Sequence, residues 1–367
     1  MDNVPEGFDL AALLAPIEGG APAGTDLRTD YAPDSLYYRL RDARAEARAT
    51  ERAIDGGEIP EGGTPPQWRT IRELACEAIA TRTKDLEIAA WLTEALLRSD
   101  GLGGFTAGVQ LMNGLVEGFW DELFPLPDED GTATRVAPVA GLNGISGMGS
   151  LIQPLSKLAL FQRPDGAPLR IWQYQQSFEL AGLDDQARRQ QRIEAGAVPF
   201  ETVENEAQAA GSKAFAALQA DAAAAAVAWK ALGEALDRRA GADSPPTSHV
   251  RDLLEQIRSI AARFAGSGEV AQEPGATTSE GGAAGAPLAA AAVSAQQLAS
   301  REEALRALAQ IADFFRRTEP HSPLAYTLQE AVRRGRMTWP ELMAEIVPDV
   351  TYRSAILSSL GIRPPTE

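Results

Sequence analysis

The chain has 367 residues, enough for two or three domains of ordinary size, and 44% of them are hydrophobic, a proportion normal for a soluble globular protein. Acidic residues outnumber basic ones, 51 against 34, for a net charge of −17, which argues against a nucleic-acid role because phosphate binding needs a basic face. Cys76 is the only cysteine, so no intramolecular disulfide can form, and a reducing compartment is expected.

The start of the chain, MDNVPEGFDL, lacks the charged and apolar regions of a signal peptide, and no window offers the 18 or so apolar residues of a membrane span. A cytoplasmic bacterial protein without membrane insertion is the expectation. Residues 1–32 read as an irregular lead-in with a short helix around Leu10, Leu13 and Leu14. Pro16, Gly19, Gly20, Pro22 and Gly24 then impose turns. Residues 33–55 carry Leu36, Leu40 and Ala43 along one helical face.

Residues 67–123 are the densest candidate core. Trp68, Ile71, Leu74, Ala75, Ala78 and Ile79 keep the helical period, and Cys76 on this helix reads as a buried structural thiol. Lys84-Asp85 separates it from LEIAAWLTEALL, which is apolar nearly all round, as in a helix buried between others. Gly101 to Gly104 predict a turn before a third helix through Val109, Leu111, Met112, Leu115, Val116, Phe119 and Trp120. Three helices with short connections predict an antiparallel bundle. Trp68, Trp91 and Trp120 take core positions, with an interface role reserved for any that prove exposed.

Residues 125–150 read as loop-rich. The glycine-rich run at 141–149 lacks the phosphate-loop lysine and serine, and the acidic triplet Asp128-Glu129-Asp130 lacks the ligand spacing of a calcium loop. Around Pro-Asp-Gly at 164–166, a small hairpin and an interhelical loop are equally compatible. Residues 184–265 return to helix, alanine-rich from Gly211 to Ala240 with Phe215, Leu218, Val227, Trp229, Leu232 and Leu236 as packing residues. Val250, Leu253, Leu254, Ile257, Ile260, Ala261 and Phe264 form a further amphipathic helix. Residues 266–297 are Gly, Ala, Ser, Thr, Pro and Glu with few large apolar side chains, the composition of a flexible linker.

The C-terminal segment carries the strongest local signals. Ser300 and Glu303 form a capping box before the face Leu305, Leu308, Ile311, Ala312 and Phe315. Residues 318–322 break that helix, and Ser322-Pro323 starts the next, with Leu324, Leu328, Ala331 and Val332 on one face. Thr338 and Glu341 form another box ahead of Trp339, Leu342, Met343 and Ile346. Neighbouring helical residues point about 100° apart, so Phe314 and Phe315 either widen one apolar face or divide between the local core and a second subunit. Residues 300–367 carry nine acidic and nine basic side chains, whereas residues 1–265 carry 39 and 25. A neutral surface does not repel its own copies. Phe314, Phe315, Leu324, Leu328, Trp339 and Ile346 are the candidate oligomer interface.

The fold expected is therefore mainly α, with helical bundles joined by a flexible linker and little or no β. Its divisions are 1–160, 161–265, the linker 266–297 and an oligomerisation module at 298–367. No catalytic, cofactor-binding or metal-ligating set is assigned. His249 and His321 are the only histidines and lie in different segments, without a metal-ligand partner.

Three blocks resemble the TssA (ImpA-related) family of bacterial type VI secretion systems. PIEGGAPAGTDLRTD, at 16–30, supplies Pro16, Gly24, Asp26 and Leu27, with Ala23 where the family often has cysteine. Residues 68–131 supply Trp68, Lys84, Asp85, Leu86 and Trp120, followed by Arg135. FFRRTEPHSPLAY supplies Glu319, Pro320, Ser322 and Pro323. The resemblance implies a non-enzymatic ImpA N-terminal helical domain and a C-terminal region that assembles into a homo-oligomeric ring. The implied partners are baseplate, tube and sheath proteins, together with contact to the membrane complex without insertion. Baseplate priming and distal sheath capping both stay open. So do a monomeric regulatory adaptor and a helical enzyme with a site near 141–150.

Overall fold

The computed structural model describes residues 5–266 apart from 6, 61, 130 and 146, then 301–318, 323–337, 341, 342 and 345. The linker expected at 266–297 lies outside the described residues except for Gly266. The chain divides into two compact units, Met1–Gly275 and Ala276–Glu367. Among the described residues there are thirteen α-helices and one two-stranded sheet, so the mainly helical class holds.

In the first unit, α1 (Leu10–Leu14) is capped by Asp9 and leads into a long lead-in, which α2 (Leu36–Asp55) follows. The expected face of α3 (Gln67–Thr81) is buried as a set, from Trp68 to Ile79. The next helix, α4 (Leu86–Phe119), has two arms that meet at Gly101, whose φ of 61° and ψ of −141° leave the helical region. Only this one glycine makes the turn expected over Gly101 to Gly104. Gly104 and Gly108 have a different task. A Cβ on Gly104 would lie 2.2 Å from the Leu96 carbonyl oxygen, and one on Gly108 would lie 2.5 Å from Thr93 Oγ1. The arms therefore fold back antiparallel with backbone against backbone, which only residues without a side chain permit.

Residues 125–150 are less loop-rich than expected, because α5 (Thr132–Asn143) runs through them. Pro138 inside it and the glycines on either side depress helix propensity. Val136, Val139, Ala140 and Leu142 nevertheless bury one face, and that packing prevails. After α6 (Ile152–Ser156), β1 (Ala159–Gln162) and β2 (Pro168–Arg170) pair antiparallel. Of the two readings for this stretch, the hairpin is realised. Gly166 at φ 83° turns the chain, and Asp165 accepts a hydrogen bond from the Ala167 N–H at 2.9 Å.

Five helices complete the unit: α7 (Ile171–Ala181), α8 (Gln186–Glu194), α9 (Phe200–Ala210), α10 (Ser212–Ala240) and α11 (Ser248–Ala265). Helix α10 packs on both α4 and α11. Trp229 sits 5.9 Å from the Phe105 ring and donates to the Thr247 carbonyl at 2.9 Å. Phe215 meets Phe161 and Phe264. Val227, expected to pack, is 70% exposed because it falls on the opposite face of α10. One core runs continuously from Phe8 to Phe264. Residues 161–265 thus share their packing with residues 1–160, and no gap in the core marks the expected division at 160.

In the second unit, α12 (Arg301–Thr318) and α13 (Pro323–Gly335) pack together, with Leu305, Ala312 and Val332 buried. Helix α12 ends at Thr318 and α13 begins at Pro323; the Glu-Pro-His-Ser expected to break them lies outside the described residues. Ile311 and Tyr326 are exposed.

Candidate functional site

The motif residues near the start of the chain meet at one joint. Gly24, at φ 75°, bridges Thr83, and a Cβ there would lie 2.2 Å from the Arg82 carbonyl oxygen. Thr25 N–H donates to Arg82 O at 3.0 Å and Lys84 N–H to Ala23 O at 2.7 Å, so the lead-in is stitched to the turn between α3 and α4. Asp26 caps the short 3-10 turn Leu27–Thr29, which aims Arg28 at the N-terminus of α4. Arg28 contacts Asp26 at 3.0 Å and Asp85 at 2.7 and 3.2 Å, and it reaches Glu87 at 2.6 Å. Asp85 is fully buried and also accepts from the N–H groups of Glu87 and Ile88 as the N-cap of α4; burial pushes its carboxyl up against the opposing pull of Arg28. Burial opposes the charge on Arg28, but Asp85, followed by Glu87, outweighs it and holds the guanidinium well above its ordinary range. The Tyr37 hydroxyl donates to Glu87 at 3.0 Å, and burial together with the Glu87 charge pushes it up to about 12.

Lys84 enters the core beside this joint. Its ammonium donates to Leu13 O at 2.8 Å and Ile79 O at 2.7 Å, closing the C-terminal ends of α1 and α3, and it lies 5.6 Å from the Phe119 ring. No carboxylate is paired with it in those contacts. Leu86 and Leu27 are buried below. Arg135 of α5, also buried, donates to the carbonyls of Trp120 at 2.6 Å and Pro125 at 3.2 Å and covers the Trp120 ring. At Gly24, Lys84, Asp85 and Arg135 the motif residues hold neighbouring backbone and side-chain groups together.

Pro16 is exposed on the lead-in, and Trp68 belongs to a different cluster. Its indole N–H donates to Glu51 at 2.8 Å, while Arg98 stacks 3.9 Å from its ring and pairs with both Glu51 oxygens. Trp91 is buried at 6% exposure and Trp120 half-buried.

The other chemical candidates are also engaged in structure. Asn143 is fully buried. Its Oδ1 accepts from Val250 N–H at 3.0 Å and its Nδ2 donates to Gly144 O at 3.0 Å, so it bolts the end of α5 to the start of α11. The enzyme reading at 141–150 thereby loses its best-placed amide. His249 Nδ1 lies 3.2 Å from the main-chain carbonyl oxygen of Asn143. Asp128 of the acidic triplet braces Thr134 and Gly131 at the start of α5. Burial pushes the Cys76 thiol up, away from a reactive thiolate. Among the described residues no group of three metal-ligating side chains forms, and no helix is long and apolar enough to cross a membrane.

Of the candidate interface residues, Leu328 is half-buried in α13. The side chains of Phe314, Phe315 and Leu324 lie outside those described, as do Trp339 and Ile346 altogether. Glu319, Pro320 and Ser322 are likewise outside the described residues, while Pro323 opens α13.

Sequence reasoning missed the buried ion pairs. Glu94, fully buried in the first arm of α4, is bound by Arg44 through both oxygens, one contact being 2.9 Å. Burial pushes its carboxyl up, yet the Arg44 hydrogen bond and charge prevail, so Glu94 sits below the usual carboxylate range. A Glu in the middle of the apolar run LEIAAWLTEALL, well past Glu87 in its first turn, was the available signal.

Residues 14–144 match the family described as ImpA, N-terminal, type VI secretion system. The chain is similar to the type VI secretion system component TssA1 of Pseudomonas aeruginosa, at 27% identity over 350 residues, which is 93% of this chain and 96% of that protein. A solved structure of the N-terminal domain, including the conserved ImpA_N region, of the TssA component from Burkholderia cenocepacia matches with a TM-score of 0.58 and 28% identity. That match covers 71% of this chain and 97% of the solved one.

Proposed function

From the match of residues 14–144 to the ImpA N-terminal family, and from the TssA likeness of the chain around them, we propose that this protein is an assembly scaffold of a type VI secretion system. It works in the bacterial cytoplasm and forms a homo-oligomeric ring through residues 298–367. Its first unit is offered to baseplate, tube and sheath proteins. Contact with the membrane complex is made without insertion, and nucleic acid is not a partner.

The observation that carries this reading is the near end-to-end match to a TssA component, 93% of one chain against 96% of the other. Both the ImpA region and the C-terminal helices then have counterparts in a secretion component. Two features support it further. The motif residues Gly24, Lys84, Asp85 and Arg135 hold neighbouring groups together, as suits a rigid platform, and Ile311 and Tyr326 leave apolar surface exposed on the second unit. Leu328, Phe314, Phe315, Leu324, Trp339 and Ile346 join them as the proposed ring contacts.

Pull-down of purified baseplate, tube and sheath proteins by the full chain, and by residues 1–275 alone, tests the partner assignment. Retention of at least one of them by residues 1–275 is expected. Failure of every one to bind the full chain would remove the scaffold reading.

A further inference from the structure

A cleft of about 520 Å³ opens on the first unit between α2, the first arm of α4 and α5. Its walls include Arg28, Tyr37, Arg44, Arg48, Trp91 and Pro138, with the Glu87 carboxylate among them engaged by Arg28 at 2.6 Å. Three guanidinium groups thus converge beside an apolar surface, in a region whose overall charge is strongly acidic. Arg28 and Arg44 are held from behind by the buried carboxylates Asp85 and Glu94. Those pairs fix the direction in which the two cations sit. Arg48 differs from both. It is half-buried and has no hydrogen-bond or ion-pair partner among the described residues. Glu94, the carboxylate closest in influence, is already bound bidentately by Arg44. Burial weakens the hold of Arg48 on its proton, and the charges of Arg44, Arg98 and Arg52 add to that, with Glu94 alone opposing. A half-buried arginine short of a counter-charge stands ready for a bidentate carboxylate.

The geometry points to this cleft as the docking site for an acidic, amphipathic peptide segment of a partner protein, whose carboxylate closes on Arg48 while a neighbouring apolar residue packs toward Trp91 and Pro138. The mixed lining of the cleft matches a segment in which acidic and apolar residues adjoin. The cleft deepens the scaffold reading, on which it rests for the partner being a protein. Peptide binding at Arg48 and oligomer formation through residues 298–367 are separate readouts, so either can fail without the other.

The test is fluorescence anisotropy of a labelled peptide carrying glutamate on both sides of a leucine pair, with its glutamine counterpart, against the full chain. The glutamate peptide is expected to bind in a salt-sensitive manner, and binding should weaken roughly tenfold for the glutamine peptide and for Arg48→Gln. Arg48→Lys should keep part of the affinity, and Arg69→Gln, a charge loss on an exposed arginine of α3, should leave it intact. Unchanged thermal melting of Arg48→Gln would establish that its loss is local. Equal binding of the two peptides, indifference to Arg48→Gln, or no binding at millimolar peptide would overturn the assignment. Inorganic sulfate or phosphate binding as tightly as the peptide would also overturn it, in favour of a small-anion site.

Discussion

Arg28 and Asp85, far apart in the chain, meet through two parallel hydrogen bonds of 2.7 and 3.2 Å. The pair ties the lead-in to the N-terminus of α4. Asp85 has two duties there, as ion-pair partner and as helix cap. Asp85→Asn keeps a capping oxygen and loses the charge; Asp85→Ala loses both. Because Arg28 retains Asp26 and Glu87, the first change is expected to cost about 1–2 kcal/mol, and the second about 1 kcal/mol more. Urea unfolding of the two variants measures the difference; equal costs would mean that the cap contributes nothing.

Glu94 and Arg44 form a second buried pair, and removing one partner strands the other. Glu94→Gln is expected to destabilise the first unit by about 2–4 kcal/mol. Replacing both, as Glu94→Leu with Arg44→Met, should recover most of that loss because no unpaired charge remains. A double variant as unstable as the single one would show that the pair is not the source of the effect.

Two glycines of α4 separate close packing from propensity. Gly104→Ala places a methyl group against the Leu96 backbone and is expected to cost about 1–3 kcal/mol. Gly118→Ala meets nothing within 4 Å and should stabilise by about 0.5–1 kcal/mol through the unfolded chain. Thermal melts of both decide whether the two arms are as close as described.

Lys84 gives the fold a dependence on pH. Burial lowers it from its ordinary 10.5 to about 8. Between those values the unfolded chain keeps a proton that the folded chain has shed. Folding therefore releases a proton, and stability gains with rising pH across that window. Lys84→Met removes the titrating group, so its stability should climb less steeply than that of the parent between pH 8 and 10.5. Identical slopes would place the proton elsewhere.

The helical faces were legible because burial follows the 3.6-residue period, as in α3 and α11. Helix α5 was hidden by Pro138 and its flanking glycines, whose low propensity gave way to the packing of Val136, Val139 and Leu142. The shared core was hidden for a different reason. Contact of α10 with α4 joins residues more than a hundred positions apart, which periodicity does not encode. At the candidate site, the break that Asp85 makes ahead of an apolar run was readable. Its pairing with Arg28 was not, because a charged side chain on a short turn looks the same whether it faces solvent or a partner. Arg48 likewise reads as one more charge on the outer face of α2.

The central claim is that copies of this chain join through residues 298–367. Sedimentation velocity of the full chain and of a version lacking those residues, each over a range of concentrations, tests it directly. The full chain is expected to run as a defined oligomer that persists on dilution, and the truncated chain as a monomer. A full-length monomer at every concentration, or a truncated chain that keeps the same oligomer, would contradict the claim.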